Sequence, residues 1–179
     1  MSEIDRFDDL DTKIVDQLIQ NGRLSPAEIA KAIGDVSERT VRSRITSLIE
    51  RRLVFVGAIA DPHAMGNQVL ADLLIDVEPG RTMEVADRLV DYPELSYVGC
   101  TAGIHDITAG LAVATNEALL DFVDDLGRIP GVRKVIVATV LTMLKTYGFK
   151  TRAADELRQR LRDRKDAKNP RAKESTAHD

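Results

Sequence analysis

The amino-acid sequence predicts an α+β chain in two parts, a short helical part followed by a longer part ordered β-α-β-β-α-β. Three observations carry this. Apolar residues recur at helical spacing from Leu10 to Ile49, and the runs open on residues suited to a helix start. Strand-like runs rich in β-branched residues, bounded by Pro-Gly or glycine turns, recur from Val69 to Leu141 and alternate with two further helical runs. Asp61-Pro62 breaks the pattern between the two parts.

In the first helix Leu10, Ile14, Val15, Leu18 and Ile19 are expected to face inward, with aspartates at the start complementing the helix dipole and Asn21-Gly22 as the stop. The second opens at Ser25-Pro26-Ala27-Glu28. Serine caps, proline takes the first helical position, where its missing N–H costs nothing, and glutamate closes the capping box. Ile29, Ala30 and Ile33 face inward and Gly34 ends it. The third helix starts from Ser37 as N-cap and runs to about Arg52, with Val41, Ile45, Leu48 and Ile49 inward. Leu53 to Ile59 reads as extended chain.

Beyond the break, Val69–Val77 is a strand stopped by Pro79-Gly80. Met83, Val85, Ala86, Leu89 and Val90 mark a helix ending before Pro93. Leu95–Thr101 and Ile107–Val113 form a hairpin. Ala118, Leu119, Phe122, Val123 and Leu126 mark another helix, and Pro130-Gly131 leads into the strand Val132–Leu141. This order is that of a ferredoxin-like split βαβ unit, whose antiparallel sheet carries both helices on one face and leaves the other free for a partner subunit. The predicted organisation is a winged helix-turn-helix domain over 1–60, a linker over 61–68, a ferredoxin-like domain over 69–150, and a charged tail over 151–179. The first half of the tail is expected to extend a helix and its end to be disordered.

Composition excludes several function classes. The chain has 179 residues, 44% hydrophobic and 30% charged. No stretch approaches the roughly 18 apolar residues of a membrane span, and the start MSEIDRFDDLD is acidic where a secretion signal is basic and then apolar. A cytoplasmic protein without membrane contact is expected. Cys100 is the sole cysteine, so an intramolecular disulfide or a cysteine metal cluster is impossible; it is expected to be a buried structural thiol. His63, His105 and His178 share no ligand spacing, so neither metal nor cofactor is expected. No general acid/base or nucleophile constellation is present, and an enzyme is not expected.

Net charge is −4, yet its distribution is uneven. Residues 1–22 carry −4, 23–52 carry +3, 61–149 carry −7 and 150–179 carry +4. One basic segment thus coincides with the second and third helices, which Gly34-Asp35-Val36 joins into a helix-turn-helix. With the aliphatic stripe of the third helix inward, Arg39, Ser43, Thr46 and Ser47 point outward, flanked by Thr40 and Arg42. Short hydroxyl side chains suit base edges and long cations suit phosphates, so this face is the candidate surface for double-stranded DNA. The bland alternative is a solvated helix made soluble by arginine.

The ordered stretches LDTKIVDQLIQNGRLSPAEIAKAIG, SERTVRSRITSLIERRLV, GAIADPHAMG, YPELSYVGCTAGIHD and PGVRKVIVATVLTMLK resemble the leucine-responsive regulatory protein/AsnC family, also called feast/famine regulators. The resemblance implies a transcriptional regulator that forms homodimers or higher homo-oligomers through its C-terminal sheets. It also implies an effector, an amino acid or related metabolite, bound between C-terminal domains. The family's Gly-x-x-Asp loop falls on Gly103-Ile104-His105-Asp106, so Thr101, Gly103, His105 and Asp106 are the candidate effector residues. A turn of this kind offers N–H groups to a carboxylate and Asp106 to an ammonium group; equally, Asp106 can serve only local backbone. Gly34-Asp35-Val36-Ser37 is one residue longer than the family's turn, and Gly110 interrupts a strand that is usually more apolar. An architectural, DNA-wrapping role is the alternative; a likeness to siroheme decarboxylase subunits is a remote one.

Overall fold

A computed structural model describes residues 6–168, and the chain divides into two compact units, Met1–Ala60 and Asp61–Asp179. The first contains helices α1 (Asp9–Gln20), α2 (Pro26–Ile33) and α3 (Glu38–Glu50). Each begins on a side-chain cap. Asp8 and Ser25 close reciprocal capping boxes with Asp11 and Glu28, and the Ser37 hydroxyl accepts from the Thr40 N–H. Ile14, Ile29, Ala30 and Val41 form the core, with Leu10, Leu18, Leu24, Ile33, Val36 and Ile45 packed around it.

Two inward assignments fail. Ile19 is 67% exposed and Ile49 is also exposed. Both stand at the far end of their helix, where so small a bundle has no third layer to cover a wide apolar stripe. The expected extended segment carries no paired strand: residues 53–61 have no regular secondary structure and Phe55 is 85% exposed. A wing needs a neighbouring strand for its backbone groups, and none among the described residues supplies one.

The second unit holds a four-stranded antiparallel sheet in the order β2-β3-β1-β4, from β1 (Val69–Val77), β2 (Leu95–Cys100), β3 (Ile107–Val113) and β4 (Val132–Thr139). Helices α4 (Thr82–Leu89) and α5 (Asn116–Gly127) follow β1 and β3. Leu73, Ile75, Val77, Ile107, Ala109, Leu111 and Val113 point to one face and pack with Val85, Ala86, Leu89, Phe122 and Leu126, as the period-two rule for a one-sided core demands. The Phe122 ring meets Tyr92 edge-on at 5.4 Å. Gly131, at φ 102, sits where a Cβ would come within 3.2 Å of Arg81 and Val85, and its carbonyl accepts the Glu78 N–H at 2.8 Å.

Cys100 corrects the expectation of burial: it is exposed. It ends β2, an edge strand, with its Sγ 3.8 Å from the Sδ of the exposed Met83. Strand β4 ends two residues before the expected Leu141, although the Val140 N–H still donates to the Leu70 carbonyl. A short hairpin of β5 (Lys145–Thr146) and β6 (Phe149–Lys150) turns at Tyr147-Gly148, both with positive φ, as tight hairpin turns require. Helix α6 (Arg152–Lys168) follows. The expected disordered end of the tail, including His178, lies outside the described residues. No described helix is long and apolar enough to cross a membrane.

Candidate nucleic-acid interface and ligand loop

Helix α3 is held from both sides. Val41 and Leu48 are buried, and Val36 in the preceding turn packs on the same core. Gly34 (φ 70, ψ 165) and Asp35 (φ 48) take two consecutive positive-φ conformations, which absorb the additional residue of the turn. Arg44 braces the helix to the start of α1: its Nη1 lies 2.6 Å from Asp8 Oδ2 and 3.2 Å from Asp11 Oδ1. Asp11 is only 4% exposed. The Asp11 backbone N–H, and then the Arg44 guanidinium, hold the Asp8 carboxyl below its ordinary range, while Asp8 pushes Arg44 up. Sequence reasoning missed this contact. Its signal was an arginine on α3 outside the outward set, with acids in excess at the start of α1.

Arg39, Thr40, Arg42, Ser43 and Thr46 are exposed and Ser47 is half-buried. They differ in freedom. Arg39 has no ion-pair partner among the described residues, whereas Arg42 pairs with Glu38 one turn earlier. Thr40 shares a hydrogen bond with the capping Ser37 hydroxyl at 2.8 Å, so it belongs partly to the helix start. Arg39 and Ser43, four residues apart, lie along one ridge of the exposed face.

In the second unit the segment from Thr101 to Asp106 links β2 to β3. Its ends are tied together: the Thr101 N–H donates to the Asp106 carbonyl at 2.9 Å and the Thr101 hydroxyl donates to the His105 carbonyl at 2.6 Å. Asp106 extends the β1–β3 ladder. Its N–H donates to Ile75, and its Oδ2 accepts the Val77 N–H at 2.8 Å where β3 has run out of carbonyls. Val77 also lies at the bulge where β1 and β4 shift register. His105 Nδ1 stands 2.7 Å from Asp76 Oδ1, both half-buried. Thr101, His105 and Asp106 are thus brought together, while Gly103 sits at the exposed tip beside the exposed Ile104. Asp76 escaped the sequence reading, although a half-buried carboxylate in a strand whose polar residues are only Asp72 and Asp76 was its trace.

Tyr97, on the sheet face away from the helices, lies across Gly99; a Cβ there would fall 2.1 Å from its hydroxyl. Gly110, opposite Tyr97, leaves room for Ser96, whose hydroxyl donates to the Gly110 carbonyl at 3.2 Å. Between α4 and β2 opens a cavity of about 500 Å³, bordered by Met83, Val90, Val98 and Cys100. No group of three or more histidine, cysteine or acidic residues poised for a metal ion occurs among the described residues.

Residues 7–49 match the family model of the AsnC-type helix-turn-helix domain, and residues 71–148 that of the Lrp/AsnC ligand binding domain. The HTH-type transcriptional regulator FL11 of Pyrococcus furiosus is 36% identical over 140 residues, 78% of this chain and 92% of that protein. The crystal structure of the leucine response regulatory protein LrpA of Mycobacterium tuberculosis aligns with a TM-score of 0.72 and 26% identity, covering 78% of this chain and 96% of that one. A transcriptional regulator of Neisseria meningitidis, solved as a complex with L-Met, aligns with a TM-score of 0.68 and 23% identity over 80% of this chain and 96% of its own.

Proposed function

The chain belongs to the Lrp/AsnC family of transcriptional regulators, and on that premise we propose that it reads the DNA major groove with Arg39, Thr40, Arg42, Ser43, Thr46 and Ser47. It is a DNA-binding regulator with a helix-turn-helix unit and a ligand-binding unit. The observation that carries the groove assignment is the exposed first half of α3, whose opposite side is fixed by Val41, Leu48 and the Arg44 brace. A recognition helix must enter a groove about 12 Å wide with its N-terminal residues at the base edges. Arg39 is free to make a bidentate contact. Arg42 must first give up Glu38.

The proposed effector is an amino acid or related small metabolite, held by Thr101, Gly103, His105 and Asp106. An L-Met complex of a protein with the same fold supports that class. With the Nδ1–H donated to Asp76, the His105 Nε2 of the neutral ring is left as an acceptor for an N–H of the effector. Asp106 keeps Oδ1 for an ammonium group while Oδ2 serves Val77. The proposed assembly is a homodimer or higher homo-oligomer formed through the sheet face that α4 and α5 leave uncovered, where Tyr97 stands exposed. Two subunits are needed to address successive turns of the duplex roughly 34 Å apart.

A salt-controlled mobility-shift series tests the groove face. Arg39→Ala is expected to weaken binding to a selected site by about 1–3 kcal/mol, and Arg42→Ala by less, since in the wild type an Arg42 contact is offset by the loss of its pair with Glu38. Wild-type affinity in both variants would sink the assignment.

A further inference from the structure

Helix α6 lies beyond the 71–148 span of the ligand-binding match. Its first turn is anchored: the Thr151 N–H donates to the Leu144 carbonyl at 3.1 Å, the Thr151 hydroxyl bonds the Met143 carbonyl, and Ala154 is buried. From Asp155 to Arg164 every side chain is exposed. A helix that buries almost nothing depends on its own side-chain pairs or on something outside the fold.

At 3.6 residues per turn, Ala154, Leu157 and Leu161 form one narrow stripe. Arg158 and Arg162 flank it on one side, Arg160 and Arg164 on the other. Three acids of the helix are engaged elsewhere: Glu156 with Arg152 at 3.0 Å, Asp155 with Arg158 at 3.7 Å, and Asp163 with Gln159 at 2.9 Å. Arg160, Arg162 and Arg164 have no carboxylate partner among the described residues. Three exposed guanidinium groups that no described carboxylate neutralises constitute a surface for a polyanion.

We propose that α6 is a second DNA-contacting element, with Arg160, Arg162 and Arg164 gripping duplex phosphates independently of sequence. The proposal rests on the DNA-binding reading of α3. Arg160 and Arg164 rise about 6 Å apart along the helix, within reach of neighbouring phosphates on one strand. A second copy of α6 would set arginine flank against arginine flank, which is repulsive. A bilayer would find only Leu157 and Leu161, 39% and 54% exposed, too little apolar area to seat a helix. Tethering to the α3 unit turns a weak phosphate contact into an intramolecular one and so multiplies its effect.

The test uses the full chain and a mixed-sequence duplex, with binding followed by fluorescence anisotropy across a salt series. Combining Arg160→Gln, Arg162→Gln and Arg164→Gln is expected to reduce the slope of log K against log salt by about 0.9 per lost contact, roughly 2–3 in all. The matching triple Lys variant is expected to keep the wild-type slope, which separates charge from any loss of helix. An unchanged slope in the Gln variant overturns the proposal. So does an unchanged slope accompanied by capture of the chain on phosphatidylserine vesicles, which assigns the helix to membranes. Failure of the α3 reading looks different: Arg39→Ala then binds as wild type while the Gln variant still loses slope.

Discussion

Asp106 has two oxygens with separable duties, and substitution tells them apart. One accepts the Val77 N–H at the bulge and closes the β1–β3 ladder. Asp106→Ala leaves that N–H without a partner and is expected to cost about 1–3 kcal/mol in denaturant unfolding. Asp106→Asn keeps a neutral acceptor and should cost less. If the second oxygen holds an effector ammonium group, Asn still removes the charge that binds it, so effector titrations collapse in a protein that remains folded. An Asn variant that keeps full effector affinity would reduce Asp106 to a strand terminator. The sequence already poses both duties through the loop spacing, but it cannot say that Val77 is the group needing a partner. That depends on a register shift between strands more than fifty residues apart in sequence.

The turn between α2 and α3 shows how an element is set by two dihedrals. Gly34 at φ 70, ψ 165 occupies a region open essentially to glycine, and nothing lies within 4 Å of where its Cβ would be. Gly34→Ala therefore tests backbone strain alone, with no clash, and is expected to destabilise the first unit by about 1–3 kcal/mol in urea unfolding. A loss near zero would mean that the turn relaxes, leaving the placement of α3 to Val36, Val41 and the Arg44 brace. Elements governed by local chemistry were legible in the sequence: the Ser25 and Ser37 caps, the Gly34 stop, and the Val69–Val77 and Ile107–Val113 strands fall where their residues place them. Features governed by distant partners were not. The segment after α3 has strand-forming residues but no neighbouring strand. Cys100 has a core-like sequence context but ends an edge strand. Arg44 reads as one more cation on α3 until Asp8 and Asp11 are placed beside it. The Tyr147-Gly148 hairpin went unread because tyrosine does not announce a positive φ, leaving Gly148 as its one turn signal.

At the scale of the molecule, regulation requires that the second unit's ligand alter the first unit's affinity for DNA. Thermodynamics makes such coupling reciprocal: if an effector changes DNA affinity by some factor, DNA changes effector affinity by the same factor, typically about 5- to 150-fold. The chain's two compact units make this a demanding requirement, because a ligand that stabilised only its own unit would shift no equilibrium in the other. A thermal-shift screen of amino acids finds the effector first, since a ligand at 100 times its Kd stabilises the folded state by about 2.7 kcal/mol. Titrating that effector with and without a DNA duplex then gives the coupling factor, and titrating DNA with and without effector gives it again. Equal factors above unity in size, in either direction, are the expected outcome. Charge alone does not produce them: neutralising Arg160, Arg162 and Arg164 lowers DNA affinity with effector present or absent and leaves the factor unchanged, whereas Asp106→Asn abolishes it. A factor of one in the wild-type chain would leave a DNA-binding protein and a ligand-binding protein sharing a polypeptide without either governing the other.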